Sequence, residues 1–308
     1  MKISHRDRVL ATICYADIFD FPLTPDELLF WCIGEKGNLS GALPSVIAQE
    51  TDTGQSFLYV KKRRSIIKER ARRFGWAKEK WDVARRVSRW LFFIPTIDLV
   101  GVTGGLAMHN AKKDDDIDMF FIVRSGTLWT SRLLATIVVE LLGMRRRPNE
   151  TRVRNKICLN MFMSDDALSL SSHERDLFAA HEVLQMHPLW KRGGVYRKFL
   201  SKNNWVRKFL PHAWREKRYV IRETRYENLK KNIIVSYLSH ITYHLVRLFE
   251  MPFRFMQLWY MHEHRTTEIV TDNILRFHPN DARVWIKKEL EKRLHRYNIP
   301  LVKIFYAK

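Results

Sequence analysis

The chain has 308 residues, 46% of them hydrophobic and 28% charged, a balance that suits a folded protein with room for more than one core. Its three cysteines, Cys14, Cys32 and Cys158, lie far apart in apolar surroundings, which excludes a disulfide framework or a cysteine-rich metal knuckle and predicts a reducing, cytoplasmic setting. The formal charge of +21 points to anionic partners.

Residues 1–62 are predicted to form a first module. The opening residues lead into an amphipathic stretch without the apolar core and cleavage site of a secretory signal, so secretion is not expected. Arg8 to Phe19 reads as a helix, and Thr24-Pro25-Asp26-Glu27 starts a second, with Thr24 as N-cap, Pro25 at the first helical position and Glu27 placed for a capping box. A third helix is predicted from Ala42 to Gln49, followed by a turn and the strand Ser56 to Val60. This pattern resembles a winged helix. The third helix carries no Lys or Arg, which argues against base reading in a DNA groove and favours a packing role.

Residues 63–95 read as a basic connecting helix, with a bend allowed at Gly75. Ile66, Ile67, Arg70, Phe74, Trp81, Ala84, Val87 and Leu91 trace one side, and Lys62, Arg63, Arg72, Arg73, Arg85, Arg86 and Arg89 populate the rest. Residues 51–100 hold 13 basic against 5 acidic groups, and residues 201–250 hold 11 against 4. Such zones attract phosphate backbones, and Trp76, Trp81, Trp90, Trp205, Trp214 and Tyr219 offer surfaces for stacking on unpaired bases, so RNA is an expected partner.

The chemistry is predicted between residues 96 and 170. An apolar strand ending at Val102 runs through Thr103 into Gly104-Gly105, where the missing Cβ atoms allow a sharp turn and close approach of backbone N–H groups to an anion. A second strand then presents Asp116 and Asp118 at i and i+2, on one face. Paired carboxylates repel unless a cation lies between them, and magnesium prefers hard oxygen ligands completed by water and phosphate. Thr127 is placed to cap the following helix, which carries Arg132 and ends at Arg145-Arg146-Arg147.

Gly104-Gly105, the gap, and Asp116-x-Asp118 together resemble the nucleotidyltransferase superfamily that includes DNA polymerase beta. The order of strand, short helix, strand, long helix and strand from about Asp98 to Met163 agrees with that fold. The resemblance implies an α+β chain with a polymerase beta-like core and mixed sheet at 96–170, a winged-helix-like module at 1–62 and a helical C-terminal domain at 171–308. It further implies magnesium-dependent transfer of a nucleoside monophosphate from a nucleoside triphosphate to a hydroxyl acceptor, RNA among the candidates, with release of pyrophosphate. Asp116 and Asp118 would bridge two magnesium ions, while Thr103, Gly104, Gly105 and Arg132 would bind the nucleotide. The third carboxylate of the family falls at Asn160, which can ligate through its carbonyl but cannot accept a proton. Either Asp114 or Asp165 supplements it, or the chain is a catalytically silent RNA-binding or scaffold protein.

Downstream of Ser172 nearly everything reads as helix: His173 to Met186, Val195 to Asn203, Trp205 to Leu210, Arg215 to Lys230, Asn232 to Met261 and Asp281 to Arg296. The stretch from Asn232 to Tyr260 is interrupted by charged residues and Pro252, so no stable membrane insertion is expected. Asn280 or Asp281 is expected to cap the last helix, and the histidines, His181 included, are assigned no chemistry. The overall order is also similar to that of uncharacterised bacterial nucleotidyltransferase-domain proteins.

Overall fold

The computed structural model describes residues 3–34, 44–52, 54–148, 150–223, 243, 246–262, 269–277 and 282–306. Helix α1 (His5–Asp17) starts at Ser4, whose hydroxyl accepts from Asp7 N, and α2 (Pro25–Trp31) carries the full Thr24/Glu27 capping box. The expected third helix is corrected at its described end: Ile47–Asp52 is a strand, β1, paired antiparallel with β2 (Gln55–Val60). Residues 42 and 43 lie outside the described residues. Ile47 turns into the core and Tyr59 donates to Glu50, so cross-strand contacts outweigh the helical reading of this short stretch.

Helix α3 (Ser65–Leu91) runs unbroken through Gly75. It buries Ile67, Ala77, Trp81, Ala84 and Leu91, but also two cations, Lys80 and Arg73, the latter expected on the solvent side. Phe74 is displaced from the predicted apolar side and stands exposed.

The main sheet is mixed and six-stranded, in the order β6-β3-β4-β5-β8-β7. Its members are β3 (Ile97–Val102), β4 (Ile117–Val123), β5 (Ile157–Ser164), β6 (His187–Lys191), β7 (Ile269–Val270) and β8 (Ile274–Arg276). β3 and β4 pair antiparallel, and β4 and β5 pair parallel across the crossover helix α5 (Leu128–Leu141). β6, β7 and β8 fall between the expected helices of the second half and add strands that the reading of residues 171–308 as a helical domain did not include. β6 and β8 find open edges at β3 and β5, and that long-range pairing overrides local pattern in strands of five and three residues.

Because β4 is apolar on both faces, it sits in the middle of two cores. Ile117, Met119, Phe121 and Val123 pack with α3 and α5, whereas Phe120 and Ile122 face the other layer. That second layer contains α6 (Leu177–Gln185), α7 (Val195–Lys202) and α8 (Pro211–Glu223). The same core takes in α1, α2 and the C-terminal helices. Beyond α8 the described helices are α9 (Glu250–His262), α10 (Ala282–His295) and α11 (Leu301–Phe305). Residues 224–242, and 278–281 with the expected cap of the last helix, lie outside the described residues. Among the described residues no helix is long and apolar enough to cross a membrane.

Candidate functional site

β3 ends at Val102, Thr103 follows as N-cap, and Gly104 opens the four-residue helix α4 (Gly104–Ala107). Gly104 adopts φ +64°, and a Cβ built on it would lie 3.1 Å from Asp118 Oδ2. Its lack of a side chain therefore serves both the turn and the space for the carboxylate. Thr103 N donates to Asp118 O at 3.1 Å, tying the glycine turn to the acidic strand.

The loop between them is held from α3 by two buried cations. Arg73 donates to Asn110 Oδ1 and to Phe19 O, and Asn110 Nδ2 donates to Phe19 O at 2.9 Å. Lys80 Nζ donates to Lys113 O, Asp115 O and Asn155 Oδ1 at 3.1, 2.5 and 3.0 Å. These bonds satisfy an ammonium that is 1% exposed, and they fix the segment from which Asp116 projects.

Asp116, Asp118 and Cys158 bring one ligand atom each within 4.8 Å of one another. Arg146 Nη1 donates to Asp116 Oδ2 at 2.6 Å and approaches Cys158 Sγ at 3.9 Å. Burial first, and the neighbouring Asp116 charge second, push the Asp118 carboxyl up to about 7. Burial also pushes the Cys158 thiol well up, keeping it a thiol.

Asn160, expected at the third position, lies two residues beyond Cys158 on the same strand. The parallel register sets Cys158 opposite Asp118, and the pairing then slips so that Met119 faces Leu159 while Phe120 faces Met161. Asn160 is the extra residue at this bulge. It is buried all the same, in the wall of two adjoining cavities of about 160 and 210 Å³. The smaller includes Thr103 and the larger Gly104, Gly105 and Asp118, and Glu182 of α6 lines both.

Glu182 and its neighbour His181 are site residues that the sequence reading missed. Burial pushes the Glu182 carboxyl up to about 7, and burial pushes His181 down to about 3, so the imidazole is neutral. His181 stacks on Tyr15 at 4.3 Å between centroids and on Trp31 at 5.1 Å, forming an aromatic wall with Phe19 and Trp285. The only signal in the sequence is a His-Glu dipeptide in an otherwise apolar helix. Thr103 Oγ1 is buried at the first cavity without a hydrogen-bond partner among the described residues.

Other expectations fall elsewhere. Arg132 donates to Gln257 Oε1 at 2.5 Å and stacks over Phe277, so it belongs to the α5–α9 contact and lines neither cavity. Asp114 is exposed, and Asp165 accepts from Ser125 N at the other end of the sheet. Thr127 donates to Arg124 O; the first amides of α5 are capped instead by Glu250, which accepts from Trp129 N and Thr130 N. Trp81 and Trp205 are core residues and offer no stacking surface. Arg283, near the start of α10, pairs with Asp176 at 2.9 Å.

No family model matches the chain, and no curated protein or solved structure matches it either.

Proposed function

We propose that the chain is a divalent-cation-dependent nucleotidyltransferase that moves a nucleoside monophosphate onto a hydroxyl acceptor. The observation that carries this reading is the convergence of Asp116 and Asp118 at a glycine turn beside a cavity. Their donor set suits magnesium, which takes a few carboxylate oxygens and leaves its other positions to water and phosphate. Cys158 is a soft donor held protonated, and Arg146 already takes one oxygen of Asp116, so the group favours one ion over the two that the resemblance implies. When bound, that ion would neutralise phosphate charge.

The chain's own residues would do the rest. Gly104 and Gly105 let the backbone approach the phosphates, and Thr103 Oγ1 is available to donate. The aromatic wall receives a planar or apolar group. The acceptor oxygen forms the new bond to the α-phosphorus, the bond to pyrophosphate breaks, and the hydroxyl proton passes to Glu182. A carboxylate whose affinity for protons lies near neutrality suits that role, which Asn160 cannot fill.

Incubation of the full chain with each α-labelled triphosphate, magnesium and cell extract should label one acceptor class and release pyrophosphate. Asp116→Asn/Asp118→Asn should abolish both; unchanged turnover in that double variant would refute the assignment. The Arg146–Asp116 ion pair favours a second reading, in which Arg146 supplies the positive charge permanently and the chain is a catalytically silent RNA-binding or scaffold protein. No labelling with any of the four triphosphates, and no magnesium-dependent nucleotide binding, would select it.

A further inference from the structure

At the end of the sheet remote from Asp118 lies an open cleft of about 790 Å³. Val123 is five residue steps along β4 from Asp118, about 17 Å at a rise of roughly 3.3 Å per residue, so the two sites are distinct. The cleft is entered from the β6–α7 turn and walled by α7, the 3₁₀ turn Asn204–Lys208 and α8.

Its cations differ in occupation. Arg192 is spent on structure, donating to Ile94 O and Ile97 O, and Lys198 Nζ donates to Asp165 O. Arg197, Arg207 and Arg218 line the same cleft, are exposed, and have no hydrogen-bond or ion-pair partner among the described residues. The two acids present are already engaged: Asp98 pairs with Arg124 at 3.4 Å and Asp165 accepts from Ser125 N. Three guanidiniums from three successive elements thus line one cleft, and none of them is paired with either of its two carboxylates. Trp214, half-buried against the core, adds an aromatic edge to the wall.

We propose that this cleft binds the sugar–phosphate backbone of single-stranded nucleic acid, with Arg197, Arg207 and Arg218 on successive phosphates and Trp214 against a base. The guanidinium fork matches phosphate oxygens, and a concave wall carrying an aromatic residue suits a single strand better than the flat face of a lipid surface. The proposal does not rest on the transferase reading, because it concerns the opposite end of the strands and needs neither metal nor nucleotide.

The test is fluorescence anisotropy of a labelled twelve-nucleotide RNA on the full chain across a salt series. Arg197→Gln/Arg207→Gln/Arg218→Gln should weaken binding at least about tenfold and make the slope of log affinity against log salt shallower by about two, since three fewer phosphates are neutralised. A matched variant on the exposed side of α3, Lys78→Gln/Arg86→Gln/Arg89→Gln, removes equal charge and should change affinity much less. Trp214→Leu alone should weaken binding while leaving the salt slope unaltered. Equal losses in the two triple variants would overturn the proposal in favour of diffuse attraction by the net charge. So would a cleft variant that folds by circular dichroism and binds RNA normally, or one that loses binding to phosphatidylserine vesicles alone.

Discussion

Between Thr103 and Gln185 the side chains that matter most are carboxyls held where water is scarce. Glu182 shows the thermodynamic consequence. Its affinity for protons rises from the ordinary carboxylate value of 4.5 to about 7 because burial penalises the charged form. Between those two values the folded state binds more protons than the unfolded state, so stability falls as pH rises from about 4.5 to 7 and stays reduced above. Glu182→Gln should therefore leave thermal stability nearly unchanged at pH 4.5 and raise it at pH 8, by at most about 3 kcal/mol. Melting curves of both proteins across that range check this. A difference that is constant with pH would mean that Glu182 is not strained by its surroundings. His181 acts in the opposite sense, since a depressed imidazole costs stability only on acidification below 6.5, and it is common to both proteins.

At the scale of elements, α3 works as a brace that holds two loops by their backbones. Lys80→Met should leave the carbonyl of Lys113 and the amide oxygen of Asn155 without this donor, and the carbonyl of Asp115 with only Asn155 N. The expected cost is about 2–4 kcal/mol, and amide exchange over residues 112–117 should accelerate more than in β3 or β5. Uniform acceleration would show that Lys80 supports the whole fold and not the Asp116 loop. This brace also shows which features were legible in sequence. Gly104, Asp116 and Asp118 could be found because strand alternation and glycine geometry are local, and the Thr24 cap for the same reason. Lys80, Arg73, Cys158 and Glu182 could not, because each owes its place to residues 30 or more positions away in the chain. A buried lysine in a helix that reads as basic throughout gives no sign of itself, since periodicity ranks charge as surface. Strands β6 and β8 were hidden in the same way, their pairing partners lying far upstream in the chain.

Across the whole molecule, the N- and C-terminal portions meet on the face of the sheet that carries Asp118, and one carboxylate joins them. Asp17, at the end of α1, accepts from Arg63 Nε through Oδ1 and from Arg293 Nε through Oδ2, both at 3.0 Å, with its side chain 7% exposed. Arg63 introduces α3 and Arg293 lies in α10, so this residue links the brace, the first helix and the last long helix. The cavity next to Asp118 takes wall residues from two of these, Tyr15 and Phe19 near the end of α1 and Trp285 of α10. Asp17→Asn keeps the volume but removes the charge, leaving two guanidiniums facing a neutral amide. Arg63 keeps Asp20 and Arg293 keeps Glu289, so neither cation is left uncompensated and the expected loss is about 1–2 kcal/mol. Because the core is continuous from α1 through the sheet to α11, the loss should appear as one lowered cooperative transition, coincident by tryptophan fluorescence and by far-ultraviolet circular dichroism. If the first 62 residues were a self-sufficient unit, Asp17→Asn would instead split the curve, with an early phase for that unit and an unchanged transition for the remainder. Ligand binding at the cavity should weaken in step with the single transition, since the aromatic wall is built from both ends of the chain.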